Sequence, residues 1–279
     1  MHRVPRPLGG MLAARRLASK PAAPVPGIIC PGSGIFFWWQ AGATGALASK
    51  FELGRSQFAG TSGGALAATL AACGCRTDDA LGVAASLCRD AGVFDRGPWA
   101  LRGVWGSIVR AWLGRLLPTD AAERCRGRVA IVVRRPLRGP SLVHDFRSRD
   151  DLIDACLASV HVPLYMDGRF TATFRGAAHI DDDFLSLRRG TSPLALPLAG
   201  APSIRLACGK DPRIRKLSAE GGVGGSMKML SVDGAQEMAE WGERYVHVLD
   251  AKGALAPLEP LRLPTEHARR DRKISEHVS

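Results

Sequence analysis

The sequence predicts an α/β domain. Two strand–glycine turn–helix units carry this reading, Gly27–Ser49 and Ser56–Cys73, and a further buried strand, Val129–Val133, follows them. Strands alternating with helices are the pattern of a sheet covered by helices. At 279 residues the chain is long enough for one large α/β domain or two small ones.

The second unit holds the most informative stretch. Gly60-Thr61-Ser62-Gly63-Gly64 spells Gly-x-Ser-x-Gly, in which a serine sits on a sharp strand-to-helix turn. Ser56–Ala59 reads as the entering strand, and the alanine-rich run from Gly64 to Cys73 as the helix that leaves it. Leu66, Leu70 and Cys73 share a face, and Gly74 is placed to end the helix. Glycines at 60 and 64 allow close backbone approach where a Cβ would clash. By itself the motif reads equally as a nucleophile elbow or as a glycine-serine turn with no chemistry.

The first unit opens with the strand Gly27–Cys30 and continues through Pro31-Gly32-Ser33-Gly34 into an apolar helix from Ile35 to about Ser49. A glycine loop entering a helix presents backbone N–H groups at a positive helix end, suited to a phosphate or an oxyanion. No Gly-Lys-Ser/Thr follows, and Phe37 stands where a dinucleotide fingerprint needs its third glycine. Beside Ser62, an oxyanion loop is the better reading.

Later elements follow from periodicity and punctuation. Thr77-Asp78-Asp79 can cap a helix over Ala80–Arg89. Leu101 to Leu117 carries apolar residues at three- and four-residue steps, with Arg102, Arg110 and Arg115 off the stripe. That pattern reads as a core helix or as a basic, tryptophan-bearing face resting on lipid. Val129–Val133 and Ser141–Phe146 read as hairpin partners. Ser148 and Asp151 form a capping box for a helix ending near Ser159. Ser203–Cys208 reads as a strand, Gly221–Gly225 as a flexible loop, and residues 256–279 as a Pro-rich, then charged, disordered tail.

Composition narrows the function classes. Hydrophobic residues at 46% and charged residues at 23% describe a globular chain with a sizeable core. No apolar run reaches the length of about 20 residues that a membrane span requires. Lys plus Arg number 38 against 26 Asp plus Glu, a net charge of +12 that favours an anionic partner: a lipid surface, nucleic acid, or an enzyme that reads a basic leader. No nucleic-acid motif accompanies the charge, so no such partner is expected. The seven cysteines lack zinc-site spacing and read as buried or free thiols in a reducing compartment; no metal is expected. Residues 1–26 hold five basic residues, five prolines and no acid, and read as an organelle transit peptide or a disordered basic arm.

Taken in order, these blocks resemble the patatin-like phospholipase family, in particular its adipose triglyceride lipase and adiponutrin branch. The resemblance runs from Gly27 to about Gly190: the loop Gly32-Ser33-Gly34, the elbow Gly60–Gly64, Leu117-Pro118, the strand at 129–133, Asp145–Ser148, Ala155–Ser159 with Val162–Tyr165, and Gly176 ahead of Ile180-Asp181. It implies a three-layer sandwich with a mainly parallel central sheet between helices, filling residues 27–255. It also implies acyl-ester hydrolysis by a Ser62–Asp181 dyad, with Gly32, Ser33, Gly34 and Gly63 holding the oxyanion and Gly60 and Gly64 shaping the elbow. No cofactor is implied. The partners would be a lipid ester and the surface of a membrane or lipid droplet, inside the cell or in an importing organelle.

Two departures stand out: the family's Asp-Gly pair is Asp181-Asp182 here, and a third loop glycine is absent. Asp182 is therefore expected at a turn position usually held by glycine, in a left-handed conformation that aspartate tolerates. Its charge is expected to raise the Asp181 pKa. A catalytically inactive, lipid-binding protein of the same fold is the alternative. His247 would complete a Ser-Asp-His order but sits in an ordinary surface-helix pattern, and Asp233-Gly234 lacks the preceding strand pattern.

Overall fold

The computed structural model describes residues 24–97, 99–186, 200–221 and 229–264. In chain order these form β1 (Gly27–Cys30), α1 (Phe37–Lys50), β2 (Gln57–Thr61), α2 (Gly63–Cys73), α3 (Thr77–Asp90), α4 (Trp105–Leu116), α5 (Ala121–Cys125), β3 (Val129–Arg135) and β4 (Gly139–Val143). They continue with α6 (Arg149–Ser159), β5 (Ala172–Phe174), β6 (Ala177–His179), α7 (Asp182–Ser186), β7 (Ser203–Arg205), α8 (Pro212–Gly221) and α9 (Val232–Ala251). Short 3-10 turns precede α1 at Gly34–Phe36 and follow α9 at Ala256–Leu261.

The sheet order is β4-β3-β2-β1-β7, parallel throughout except for β4, which returns antiparallel beside β3. This is the expected mainly parallel sheet flanked by helices. Alternation along β1 sends Ile28 and Cys30 into the main core, while Ile29 joins Ala59 and Val132 in a small cluster of its own.

Register is what positions the site. Cys30 pairs with Gly60 across β1 and β2, so the loop after β1 and the elbow after β2 leave the sheet side by side. Thr61 pairs with Val132, and Arg134 makes an isolated antiparallel bridge to Ile180. The residue after Ile180 thus arrives at the same end of the sheet as the residue after Thr61.

Helix α2 is buried almost all round rather than on one face, because it packs on β1, β2 and β3 beneath α1. Helices α1 and α9 cross in backbone contact: a Cβ on Gly42 would lie 1.9 Å from Ala239 O, and one on Gly242 would lie 1.9 Å from Trp39 O. Among the described residues, no helix is long and apolar enough to cross a membrane.

Several expectations change. The stripe from Leu101 to Leu117 is helical only from Trp105, with turns before it. Trp112 is buried and its indole N–H donates to Ala80 O at 2.8 Å, so the core reading holds for that face. Arg110, expected to be available to lipid, is paired with Asp154 of α6. Helix α3 begins at Thr77 rather than after it, because the Thr77 hydroxyl donates to Ala41 O at 3.0 Å and caps nothing. The capping box at α6 is half made: Ser148 Oγ accepts from Asp151 N at 3.1 Å, while the Asp151 carboxylate takes Arg147 N and Arg175. A two-stranded antiparallel ribbon, β5–β6, forms between α6 and α7.

At the C-terminal end, the tail boundary at 256 is too early. Leu258 and Leu261, three residues apart, fall on one side of the 3-10 turn and are buried, and Arg262 stacks 4.6 Å over the Phe51 ring. All seven cysteines are free, and six are buried. Residues 1–23, most of the glycine loop after 221, and residues 265–279 lie outside the described residues.

Candidate active site

Ser62 stands between the end of β2 and the start of α2 with a φ of 50°, a conformation that costs a non-glycine residue about 1–3 kcal/mol. Its surroundings hold it there. Ser62 N–H donates to Ser159 Oγ at 2.9 Å, and Ser159 Oγ donates in turn to Val132 O at 2.7 Å, tying the elbow to α6 and β3. The motif glycines are used for close approach. A Cβ on Gly60 would lie 2.4 Å from Gly64 O, and one on Gly64 would lie 2.0 Å from Cys30 O.

The Ser62 hydroxyl donates to Asp181 Oδ2 at 2.5 Å, joining residues 119 apart in sequence. Both are nearly sealed from solvent, Ser62 at 6% and Asp181 at 2% exposure. The other oxygen, Asp181 Oδ1, accepts from Asp183 N at 2.8 Å and from Phe184 N at 3.4 Å, and Asp181 N donates to His161 O at 2.8 Å. Both carboxylate oxygens and the backbone N–H of Asp181 are therefore fixed. Burial, aided by the charge of Asp183, pushes its carboxyl up to about 7 against the hydrogen bonds that favour the ion.

Asp182 does not occupy a left-handed turn. It opens α7 with an ordinary backbone, is fully buried, and is paired with Arg134 of β3. The neighbouring charge that raises Asp181 is that of Asp183, not Asp182. Asp183 is itself raised to about 6, first by burial and then by Asp182. Its carboxyl sits on the glycine loop: a Cβ on Gly32 would fall 1.2 Å from Asp183 Oδ2.

The glycine loop lies against the elbow as the strand register requires. A Cβ on Gly63 would meet Ser33 Oγ at 2.7 Å and Gly34 O at 2.8 Å. Gly63 is the first residue of α2, so its N–H precedes any intrahelical acceptor. The loop is braced by a residue that the sequence reading passed over. Gln40, fully buried in α1, accepts from Ser33 Oγ at 2.8 Å and donates to Pro31 O at 2.7 Å and Leu206 O at 3.0 Å. A lone amide inside the apolar run Ile35–Ala41 was the available signal, since a buried amide must find partners. Arg134 was likewise unmarked in sequence, and Ser159 was marked only as a helix end within a family block, because their partners lie on other elements.

Ser62, Gly63, Gly34 and Asp181 open into one pocket whose remaining walls are almost wholly apolar. Phe37 and Trp38 come from α1, Leu81, Ala85 and Cys88 from α3, and Ile108, Val109 and Trp112 from α4. The rings of Phe37, Trp38 and Trp112 meet at 4.3–6.1 Å. His247 is exposed on α9 and Asp233 is exposed in its first turn; neither lines this pocket.

Residues 28–183, more than half of the chain and including both glycine turns, Ser62 and Asp181, match the family model for patatin-like phospholipase. The chain belongs to the patatin-like phospholipase family. Among curated members it is 33% identical over 161 residues to an omega-hydroxyceramide transacylase of Homo sapiens, covering 56% of this chain and 30% of that protein. It is 29% identical over 155 residues to 1-acylglycerol-3-phosphate O-acyltransferase PNPLA3 of Homo sapiens, covering 54% of this chain and 32% of that one. Patatin-like phospholipase domain-containing protein 2 of Mus musculus is 34% identical over 74 residues, 26% of this chain and 15% of that protein. The matched part of this chain thus spans about a third or less of the length of these relatives.

Proposed function

We propose that this chain is a lipid acyl hydrolase that cleaves carboxylic esters of acylglycerols or glycerophospholipids through a Ser62–Asp181 dyad and an acyl-enzyme. The observation that carries the reading is the 2.5 Å hydrogen bond from Ser62 Oγ to Asp181 Oδ2 inside an apolar pocket. Family membership supports it.

In the first step Asp181 takes the hydroxyl proton while Ser62 Oγ bonds to the ester carbonyl carbon. The carbonyl oxygen gains the charge and is held by N–H groups of Gly63 and of the Gly32-Ser33-Gly34 loop. Collapse breaks the bond to the alkoxy group, which leaves with the proton that Asp181 held. Water then attacks the acyl-enzyme, giving its proton to Asp181 and releasing the fatty acid as Ser62 is re-formed. A free aspartate titrates near pH ~3.9 and is a weak base, so the upward shift of Asp181 is what fits it to the task. The apolar walls suit an acyl chain, which would be drawn from a membrane or lipid droplet.

A second reading is acyl transfer to a hydroxyl acceptor instead of water. What favours it is that two relatives are named as a transacylase and an acyltransferase. Fluorophosphonate labelling of wild type and Ser62→Ala, followed by product analysis with and without an alcohol acceptor, tests both. Labelling that needs Ser62 with free fatty acid as product supports the hydrolase, and a new ester supports the transferase. Absence of labelling leaves the inactive lipid-binding alternative.

A further inference from the structure

The mouth of the pocket carries large apolar side chains that the fold leaves in solvent. Phe94 lines the pocket yet is 38% exposed, and Trp99, Leu164 and Phe170 are 48%, 53% and 61% exposed. The segments that bear the last three are stitched together. Gly103 N donates to Tyr165 O at 2.7 Å and Gly106 N to Met166 O at 2.9 Å, and the rings of Trp99 and Trp105 both stand edge-on to Tyr165. Trp105, Val162 and Met166 of the same segments line the pocket, so the exposed patch is continuous with its rim.

Leu164 shows that the display is built in. Its φ is 64°, in the left-handed region that a leucine rarely enters, and it is held there by Leu164 N donating to Arg169 O at 2.8 Å. The strained backbone turns an apolar side chain outward, so burial does not offset the cost in the isolated chain. Arg96, Arg102 and Arg169 are exposed in these segments, against Asp95 and Asp167, and Asp167 is engaged with Arg169 N within its own loop.

We propose that this rim, centred on the loop from Leu164 to Phe170, seats the protein on an anionic phospholipid bilayer. Leu164, Phe170 and Trp99 enter the interfacial layer and the three arginines lie at headgroup level, the arrangement of interfacial anchors generally. The inference rests on reading the pocket as an acyl-chain site: a bilayer against the rim feeds that pocket, whereas a second copy of the chain would close it. It also places the lipid contact on two loops and not on the tryptophan-bearing face of α4.

The test compares the full chain with the Leu164→Ser/Phe170→Ser double variant, two side chains that do not line the pocket. Binding to vesicles of equimolar phosphatidylcholine and phosphatidylserine is measured by co-sedimentation, alongside hydrolysis of a water-soluble short-chain ester. The double variant is expected to bind vesicles about tenfold more weakly or worse, with soluble-ester hydrolysis unchanged. Unchanged vesicle binding overturns the proposal, and equal wild-type binding to phosphatidylcholine alone overturns its anionic part. If wild type self-associates, the variant is monomeric and neither binds vesicles, the rim is an interface between copies and the proposal falls. If the variant loses vesicle binding and neither protein hydrolyses ester, the docking surface stands and the hydrolase reading falls.

Discussion

Asp183 Oδ2 rests where a side chain on Gly32 would begin, while Asp183 N–H holds the oxygen of Asp181 that Ser62 leaves free. One residue therefore touches both halves of the site, the glycine loop proposed to hold the oxyanion and the carboxylate that accepts from the serine. Replacing Asp183 by Asn keeps the backbone contact and removes the charge. The acid limb of ester hydrolysis should move to lower pH, because the Asp183 charge is one cause of the raised Asp181 pKa. A pH–rate profile of Asp183→Asn against wild type measures the shift; an unmoved limb would show that burial alone sets Asp181.

In the proposed mechanism Asp181 must be ionised to accept the serine proton, so wild-type kcat/KM should rise through about pH 7 and level off above it. Asp181→Asn should lose about 10²–10⁴-fold in rate. The same shift has a consequence for stability. The folded chain keeps a proton that the unfolded chain releases near pH ~4, so this group costs wild type stability as pH rises from there to about 7. Asp181→Asn should therefore melt a few degrees higher than wild type at pH 8, with the difference shrinking toward pH 4. Thermal unfolding across pH checks the sign.

Asp182 invites the opposite expectation from the one its sequence suggests. Asp182→Gly would restore the family's usual pair but would strip Arg134, itself mostly buried, of its partner. A loss of about 3–5 kcal/mol in unfolding free energy is expected, measured by denaturant titration. Preserved stability would mean that glycine at this position relaxes the acid loop in a way the ion pair does not need.

Gln40 spends both amide protons and a lone pair of its oxygen on the glycine loop and on Leu206 O. Gln40→Leu should lower kcat by about 10–100-fold, a fraction of what loss of an oxyanion donor costs, with KM within about twofold because Gln40 does not line the pocket. Equal losses in kcat and in melting temperature-matched controls, or a change confined to KM, would remove it from the loop's support.

Ser159→Ala leaves Ser62 N–H and Val132 O without their buried partner, at a cost of about 1–3 kcal/mol for each group left unsatisfied. Fluorophosphonate labelling of Ser62 should slow as the strained elbow relaxes. A variant with wild-type stability and labelling rate would show that a water replaces the hydroxyl.

The sequence by itself determined what local pattern can encode. Glycine spacing around Ser62 marked the elbow, apolar runs marked β1, β2 and β3, and the order of the blocks pointed to the family and its mainly parallel sheet. The elbow and each strand lie within about a dozen residues, the range over which backbone conformation and periodicity are set, and the block order adds their spacing along the chain. Tertiary structure alone decided the rest. The resemblance named Asp181 as the partner of Ser62, but how that carboxylate is held, where the Asp182 charge goes, and why Gln40 and Ser159 are polar all depend on strand register and on residues far away in sequence. Asp182 shows the limit most clearly. Beside Asp181 it reads as a substituted turn glycine, but β3 brings Arg134 to it, and a buried charge with a partner takes a different conformation and role from one without. The tail shows it too: a Pro-rich stretch reads as disordered until Phe51, about two hundred residues earlier in the chain, supplies the surface on which Arg262 packs.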